Sequence, residues 1–185
     1  MDIVSLSIGG FVVLVVLYTI FGYNRVVALD RRCTQAEEDI DVQLRQRLDL
    51  IPNLVETVKG YAGHERATLE AVMKARASAL ANPGAAGAEA AVGGALSRLL
   101  AVAEAYPDLK ASANFAQLQA EIADTENKIA AARRFLNAAV NEYNTTLATF
   151  PLNIVSSALG FVARASRVAT GEARVSLDTA PAVRF

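Results

Sequence analysis

Two rows of polar residues are spaced so that a helix would align each of them. Asp49, Asn53 and Glu56 stand at i, i+4 and i+7, and Arg134, Asn137, Asn141 and Asn144 follow one another at steps of three and four. Residues three or four apart share a helix face, and asparagine inside a helix costs roughly a few tenths of a kcal/mol relative to alanine. The rows admit two readings. Either they are solvated faces, or they meet each other or another subunit, where buried polar groups would pair and fix register.

Residues for catalysis are scarce. Glu37-Glu38-Asp39 and Asp41 offer carboxylates of the kind used in acid–base work, but on a helix they spread around a polar side. His64-Glu65 begins like a helix-borne HExxH zinc site, yet position 68 is threonine and the chain has one histidine, so the second ligand is missing. His64 reads as a capping or packing residue near a helix start, with a ligand or proton switch as the alternative. A di-metal carboxylate bundle needs a Glu-x-x-His on each of two helices, which one histidine cannot supply. The single cysteine, Cys33, excludes a disulfide framework and a Cys-cluster zinc site. It reads as a small buried helix residue. Gly84, Gly87, Gly93 and Gly94 fit neither GxGxxG nor GxxxxGK[ST], and no GxSxG elbow occurs. The expectation is a protein without enzymatic activity, metal or cofactor.

The elements that carry these residues are legible from hydrophobicity. The chain of 185 residues is 53% hydrophobic with a mean hydropathy of +0.28, apolar for a small domain. Eighteen Lys+Arg against nineteen Asp+Glu give a net charge of -1, which supplies no basic field for nucleic acid. Part of the apolar excess is the uncharged run IVSLSIGGFVVLVVLYTIFGYN between Asp2 and Arg25. Its 22 residues would make a helix of about 33 Å, matched to a hydrocarbon core of about 30 Å. A cleaved signal peptide fits less well, because the n-region lacks a basic residue and no A-x-A-like exit follows. The run is expected to be a retained, single-pass anchor in the inner membrane, with Tyr18, Phe21 and Tyr23 at its aromatic belt. Arg25, Arg31 and Arg32 flank its exit, so the positive-inside rule predicts the N-terminus outside and the rest of the chain in the cytoplasm.

Beyond the anchor (residues 1–24), residues 25–169 read as a helical bundle and 170–185 as an extended or intersubunit tail. Cys33, Ala36, Ile40, Leu44, Leu48, Ile51, Val55, Val58 and Ala62 recur at steps of three and four, continuing the anchor as an amphipathic helix. Pro52 predicts a kink or break near Leu50-Ile51, and the stripe that continues through it favours a kink. A second helix stops at Asn82-Pro83-Gly84, residues 85–94 read as a loose Ala/Gly-rich connection, and a shorter helix runs from about Ala95 to Ala105. Asn114, with Gln117 three later, is the expected N-cap of a long helix. Phe115, Leu118, Ile122, Thr125, Ile129, Ala132, Leu136, Ala139, Tyr143, Leu147 and Phe150 then form a heptad-like stripe. After Pro151 a last helix is expected from 152 to about 169, with Arg164 and Arg167 off its stripe as lipid-surface candidates. The fold class is all-α: an N-terminal transmembrane helix continuing into an antiparallel helical bundle with two long helices.

These motifs, taken together and in this order, resemble the LemA family. The stretches that carry the resemblance are DRRCTQAEEDIDVQLRQRLDLIPNLVETVKGYAGHERATLEAVMKARA from Asp30, LLAVAEAYPDLKAS from Leu99, NFAQLQAEIADTENKIAAARRFLNAAVNEYNT from Asn114, FPLNIVSSALGF from Phe150 and the terminal APAVRF. The segment 85–94 is richer in Ala and Gly than the family pattern, and Val168 stands where the family often has an aromatic. The resemblance implies one transmembrane helix with a short outer N-terminus, a cytoplasmic antiparallel bundle and no established enzymatic activity. Family genes tend to lie near those of membrane proteases or TPM-domain membrane proteins, which implies a role in envelope maintenance. The expected function is a self-assembling, membrane-anchored scaffold, its partners being the lipid bilayer and further copies of the chain. Ser5, Ser7, Gly9 and Gly10 would allow close approach of anchors. The alternative is an adaptor binding a membrane protease or a TPM-domain protein one to one.

Overall fold

The computed structural model describes residues 3–165, with side chains from residue 7 onward. It is all-α: α1 (Ile3–Tyr61), α2 (Arg66–Ala81), α3 (Ala86–Glu104), α4 (Pro107–Lys110), α5 (Ala113–Ala148) and α6 (Leu152–Ala158). No strand occurs among the described residues. Arg167 and the tail 170–185 lie outside them. The chain divides into two compact units, residues 1–37 with 133–185, and residues 38–132.

In the first unit α1 and α5 are antiparallel. Gly22 lies against Leu152, and ten residues further along α1, Arg32 meets Glu142 at 3.2 Å, ten residues back along the chain. The heptad-like stripes are the buried faces: Val26, Leu29, Cys33 and Ala36 from α1, Leu136, Ala139, Val140 and Tyr143 from α5. Before Gly22, by contrast, the large apolar side chains of α1 from Ile8 to Phe21 are exposed. This stretch has a mean hydropathy of 1.9 over its most apolar window and is long enough to cross a membrane. α3 is also long and apolar enough by composition. It buries Val92, Leu96, Leu99 and Ala103 in the core of the second unit.

The second unit packs the later part of α1 with α2, α3, α4 and the start of α5 around Ile51, Leu54, Val58, Val72, Leu99 and Leu109. Here α1 runs through Pro52 to Tyr61, so of the expected kink or break the break does not occur, in keeping with the apolar stripe that continues past the proline. Proline has no N–H to give to the carbonyl four residues back, so the Leu48 oxygen is orphaned. Arg76 of α2 supplies the missing donor, its Nε–H reaching Leu48 O at 2.7 Å. A tertiary bond thus stands in for the lost helical one.

Three boundaries differ from expectation. The Ala/Gly-rich segment is helical, α3 starting at Ala86, since alanine has the highest helix propensity and Val92 ties the segment into the core. The N-terminus of α5 is set two residues earlier than Asn114. Ser112 O accepts the first helical bond from Ala116 at 3.0 Å, and its hydroxyl lies 3.5 Å from the Phe115 N–H, so Ser112 occupies the cap position.

The last helix ends at Ala158 rather than near 169. Gly160 adopts φ +78°, Phe161 N–H donates to Ser156 O at 3.0 Å and Gly160 N–H to Ser157 O at 3.3 Å. These are the paired bonds of a Schellman motif, which glycine at C′ permits.

Candidate functional site

Because α6 stops at Ala158, residues 161–165 leave the helix and need backbone partners from elsewhere. α5 provides them. Tyr143 OH donates to Val162 O at 3.1 Å, Asn144 Oδ1 accepts the Arg164 N–H at 2.9 Å, and Asn144 Nδ2 donates to Arg164 O at 2.9 Å. One carboxamide therefore pairs with Arg164 as a neighbouring strand would.

The Arg164 side chain crosses to α1. Its Nε donates to Asp30 Oδ1 at 2.9 Å, one terminal nitrogen donates to Thr34 Oγ1 at 3.0 Å, and the other lies 3.5 Å from Glu37 Oε2. Asp30, Thr34 and Glu37 stand at i, i+4 and i+7, so one helix face presents all three acceptors. Burial opposes the charge on Arg164, but the Asp30 hydrogen bond and the charges of Asp30 and Glu37 overcome it and raise the guanidinium above its ordinary value. This clasp ties the segment after α6 to both long helices. Arg164, expected at a lipid surface on a helix reaching 169, is instead spent on these partners.

Cys33 lies buried on the same face of α1. Burial pushes its thiol up, Arg164 pulls it partly down, and Asp30 and Glu37 push it up again. The folded protein therefore holds the proton more tightly than a free thiol does. Stability from this source is full below the pKa of the free thiol and is lost as pH rises through the higher folded value. Folded protein at pH 8 should react with iodoacetamide at least about tenfold more slowly than denatured protein, because the thiolate is the nucleophile. Mass spectrometry of the two time courses measures the ratio. Equal rates would show an accessible, ordinary thiol.

Of the residues singled out from sequence, Asn144 and Arg164 belong to the clasp, and the rest of the two rows is dispersed. Arg134 and Asn141 are exposed and Asn137 is half-buried with a partner of its own. Asp49, Asn53 and Glu56 are exposed: Asp49 lies 3.9 Å from Arg76 and Glu56 3.3 Å from Lys59. The two rows fall in different units, and each of these pairs forms within its own. Arg25 and Arg31 are exposed beyond the apolar run, while Arg32 pairs with Glu142 and lies 5.0 Å over the Phe135 ring. His64 is exposed.

Sequence reasoning missed Asp30, Thr34, Glu37 and Tyr143. Their signal was the Leu-Gly-Phe at 159–161, a helix stop that frees Arg164 to return to α1.

The second unit holds a cleft of about 280 Å³ beside α1, lined among others by Asp41, Arg45, Arg47, Asn82 and Glu89. Arg47 is the unusual member. Its side chain is 6% exposed and one terminal nitrogen meets Glu126 at 2.6 Å, yet its Nε has no partner. No three His, Cys, Asp or Glu side chains converge as a metal site would require among the described residues.

The chain is similar to magnetosome proteins MamQ 1 and MamQ 2 of Paramagnetospirillum magneticum, each 33% identical over 75 residues. Magnetosome protein MamQ of Magnetospirillum gryphiswaldense is 31% identical over the same length. These matches span 40% of this chain and 28% of each relative. The model of the LemA family matches residues 36–185, which takes in Glu37, Tyr143, Asn144 and Arg164 of the clasp, Pro52 and α5, while Asp30 and Thr34 lie before it. On that match the chain belongs to the LemA family.

Proposed function

We propose that this membrane-associated member of the LemA family is a non-enzymatic helical scaffold that self-assembles at the cytoplasmic face of the bacterial inner membrane. The carrying observation is α1 itself. Fifty-nine residues of uninterrupted helix join an exposed apolar stretch to buried faces in both units, and Arg76 maintains the helix at its one proline. Such a helix suits holding positions at a membrane.

Self-assembly is supported by open surface. Nothing approaches Gly9 or Gly10, and small residues let transmembrane helices come close. Val42, Tyr61, Met73 and Leu80 of the second unit are exposed as well. The three arginines after the apolar run favour an outer N-terminus and a cytoplasmic body. Imaging and mass photometry of the full chain in detergent and in lipid nanodiscs test this reading, which expects assemblies of many copies. A monomer at every concentration would sink it.

An adaptor that binds a membrane protease or a TPM-domain protein one to one is the second reading, favoured by the cleft at Arg47. It expects one-to-one co-purification that survives dilution and is lost when the cleft is altered at Arg45. The relatives' names tie them to the magnetosome, and the shared segment is 28% of their length.

A further inference from the structure

The surface of the first unit carries large apolar side chains outside the anchor. Phe150 is 75% exposed, Ile154 61%, Leu159 53% and Val162 77%, four within thirteen residues of sequence. In a water-facing domain such a cluster is costly and marks an interaction surface. Its position relative to the anchor is fixed by two contacts. Leu152, the first residue of α6, packs so closely on Gly22 that a Cβ there would sit 2.5 Å from its Cδ2. Phe161 packs its ring on Tyr23 with centroids 5.8 Å apart. Gly22 and Tyr23 are nearly the last residues of the uncharged run, and Arg25 is the first charge after it.

From Phe161 the segment runs away from that level. It reaches Asp30 by Arg164, three residues of extended chain covering about 10 Å while α1 covers the same distance in the seven residues from Tyr23 to Asp30. The clasp therefore leads the chain into water from a starting point at the anchor's exit, and α6 with its flanks stays at that exit.

Resting on the reading of α1 as a membrane anchor, we propose that α6 and its flanking residues are seated in the interfacial layer of the bilayer. Phe150, Ile154, Leu159 and Val162 would be inserted among lipid headgroups and upper acyl chains. The patch adjoins α1 through the Gly22–Leu152 and Tyr23–Phe161 contacts, and this part of α1 carries Tyr18 and Tyr23, residues of the type that settles at this depth. A helix of this kind lies in the membrane plane with its apolar side sunk by about 5–10 Å. Here the anchor, the Gly22 contact and the clasp hold it at the depth an isolated amphipathic helix must find for itself. A free lipid surface is thus a second attachment for the unit, independent of the arginines.

The chain contains no tryptophan, so single reporters can be read without background. Full-length Ile154→Trp and Leu159→Trp proteins are reconstituted in phosphatidylcholine–phosphatidylglycerol vesicles with or without bromine on the acyl chains. Leu14→Trp reports the anchor and Phe135→Trp, on the exposed side of α5, reports water. Insertion to the headgroup–acyl boundary should cost the 154 and 159 reporters about half of their emission in brominated vesicles, with a blue-shifted maximum. The 135 reporter should be unaffected.

Water-like, unquenched emission at 154 and 159 with quenching at 14 would overturn the proposal and leave the anchor standing. Blue-shifted but unquenched emission would overturn it too, showing the patch covered by another copy of the chain. An unquenched reporter at 14 would overturn the anchor and this proposal together.

Discussion

Glu126→Ala should destabilise the second unit by about 3 kcal/mol, the low end of the cost of unpairing a buried charge. Arg47 is enclosed while Glu126 is half exposed, so the charge left behind is the one that cannot reach water. Its Nε already lacks a partner, as does the buried Gln43 Oε1 on the preceding turn. Arg47→Met keeps the aliphatic stem and removes both the charge and the orphaned nitrogen. It should be neutral or stabilising, because apolar replacements of buried ion pairs often are. The double variant should recover most of what Glu126→Ala loses. Hydrogen exchange of amides in residues 38–132, followed on the full chain in detergent, gives the free energies of opening. If Glu126→Ala exchanges like the parent protein, Arg47 is solvated by another route and the argument fails.

The second large effect concerns Pro52. Arg76→Ala removes the donor to Leu48 O and leaves a carbonyl stranded inside the unit, at an expected cost of about 2 kcal/mol for a hydrogen bond from a charged group. Its contact with Asp49, at 3.9 Å with a largely exposed carboxylate, adds little. The specific signature is coupling. In a Pro52→Ala background the backbone N–H at position 52 can satisfy Leu48 O directly, so Arg76→Ala should cost well under about 1 kcal/mol there, a coupling energy above about 1 kcal/mol. Equal costs in both backgrounds would mean that Arg76 stabilises the unit only through its packing.

Both effects bear on what was readable beforehand. Wherever burial alone decides, the pattern was transparent: Cys33, Ala36, Ile40, Leu44 and Leu48 are buried as the spacing demands, and so are Ile122, Thr125, Ile129, Leu136 and Tyr143. A narrow stripe on a long helix has one way to be hidden. At Pro52 a kink and a break both stood open, because the penalty of an internal proline is local, while its remedy lies on another helix, twenty-four residues later. The extent of α6 did mislead, for the opposite reason. The apolar spacing through Phe161, Val162, Ala165 and Val168 continues helically, but Gly160 gains more from a left-handed stop than the stripe gains from continuing. Once the helix stops, Arg164 changes from a surface cation into the partner of Asp30 and Glu37.

Neither polar row could be assigned from spacing, since a periodic row of asparagines looks the same whether water or backbone receives it. Asn144 takes the backbone of Arg164. Asn141, three residues earlier, faces outward.

The Gly22–Leu152 contact divides the first helix into two stretches with different tolerance of length change. Upstream of Gly22, adding or removing a residue alters only how much apolar helix is available to span a bilayer, and thickness mismatches of a few ångströms cost little. Between Gly22 and Glu37 one inserted residue would rotate everything beyond it by about 100° and advance it by about 1.5 Å. Gly22 would then face Leu152 while Asp30, Thr34 and Glu37 turned away from Arg164. The apolar stretch is thus free to vary in length, whereas the fifteen residues that follow are phase-locked to Arg164, far along the chain.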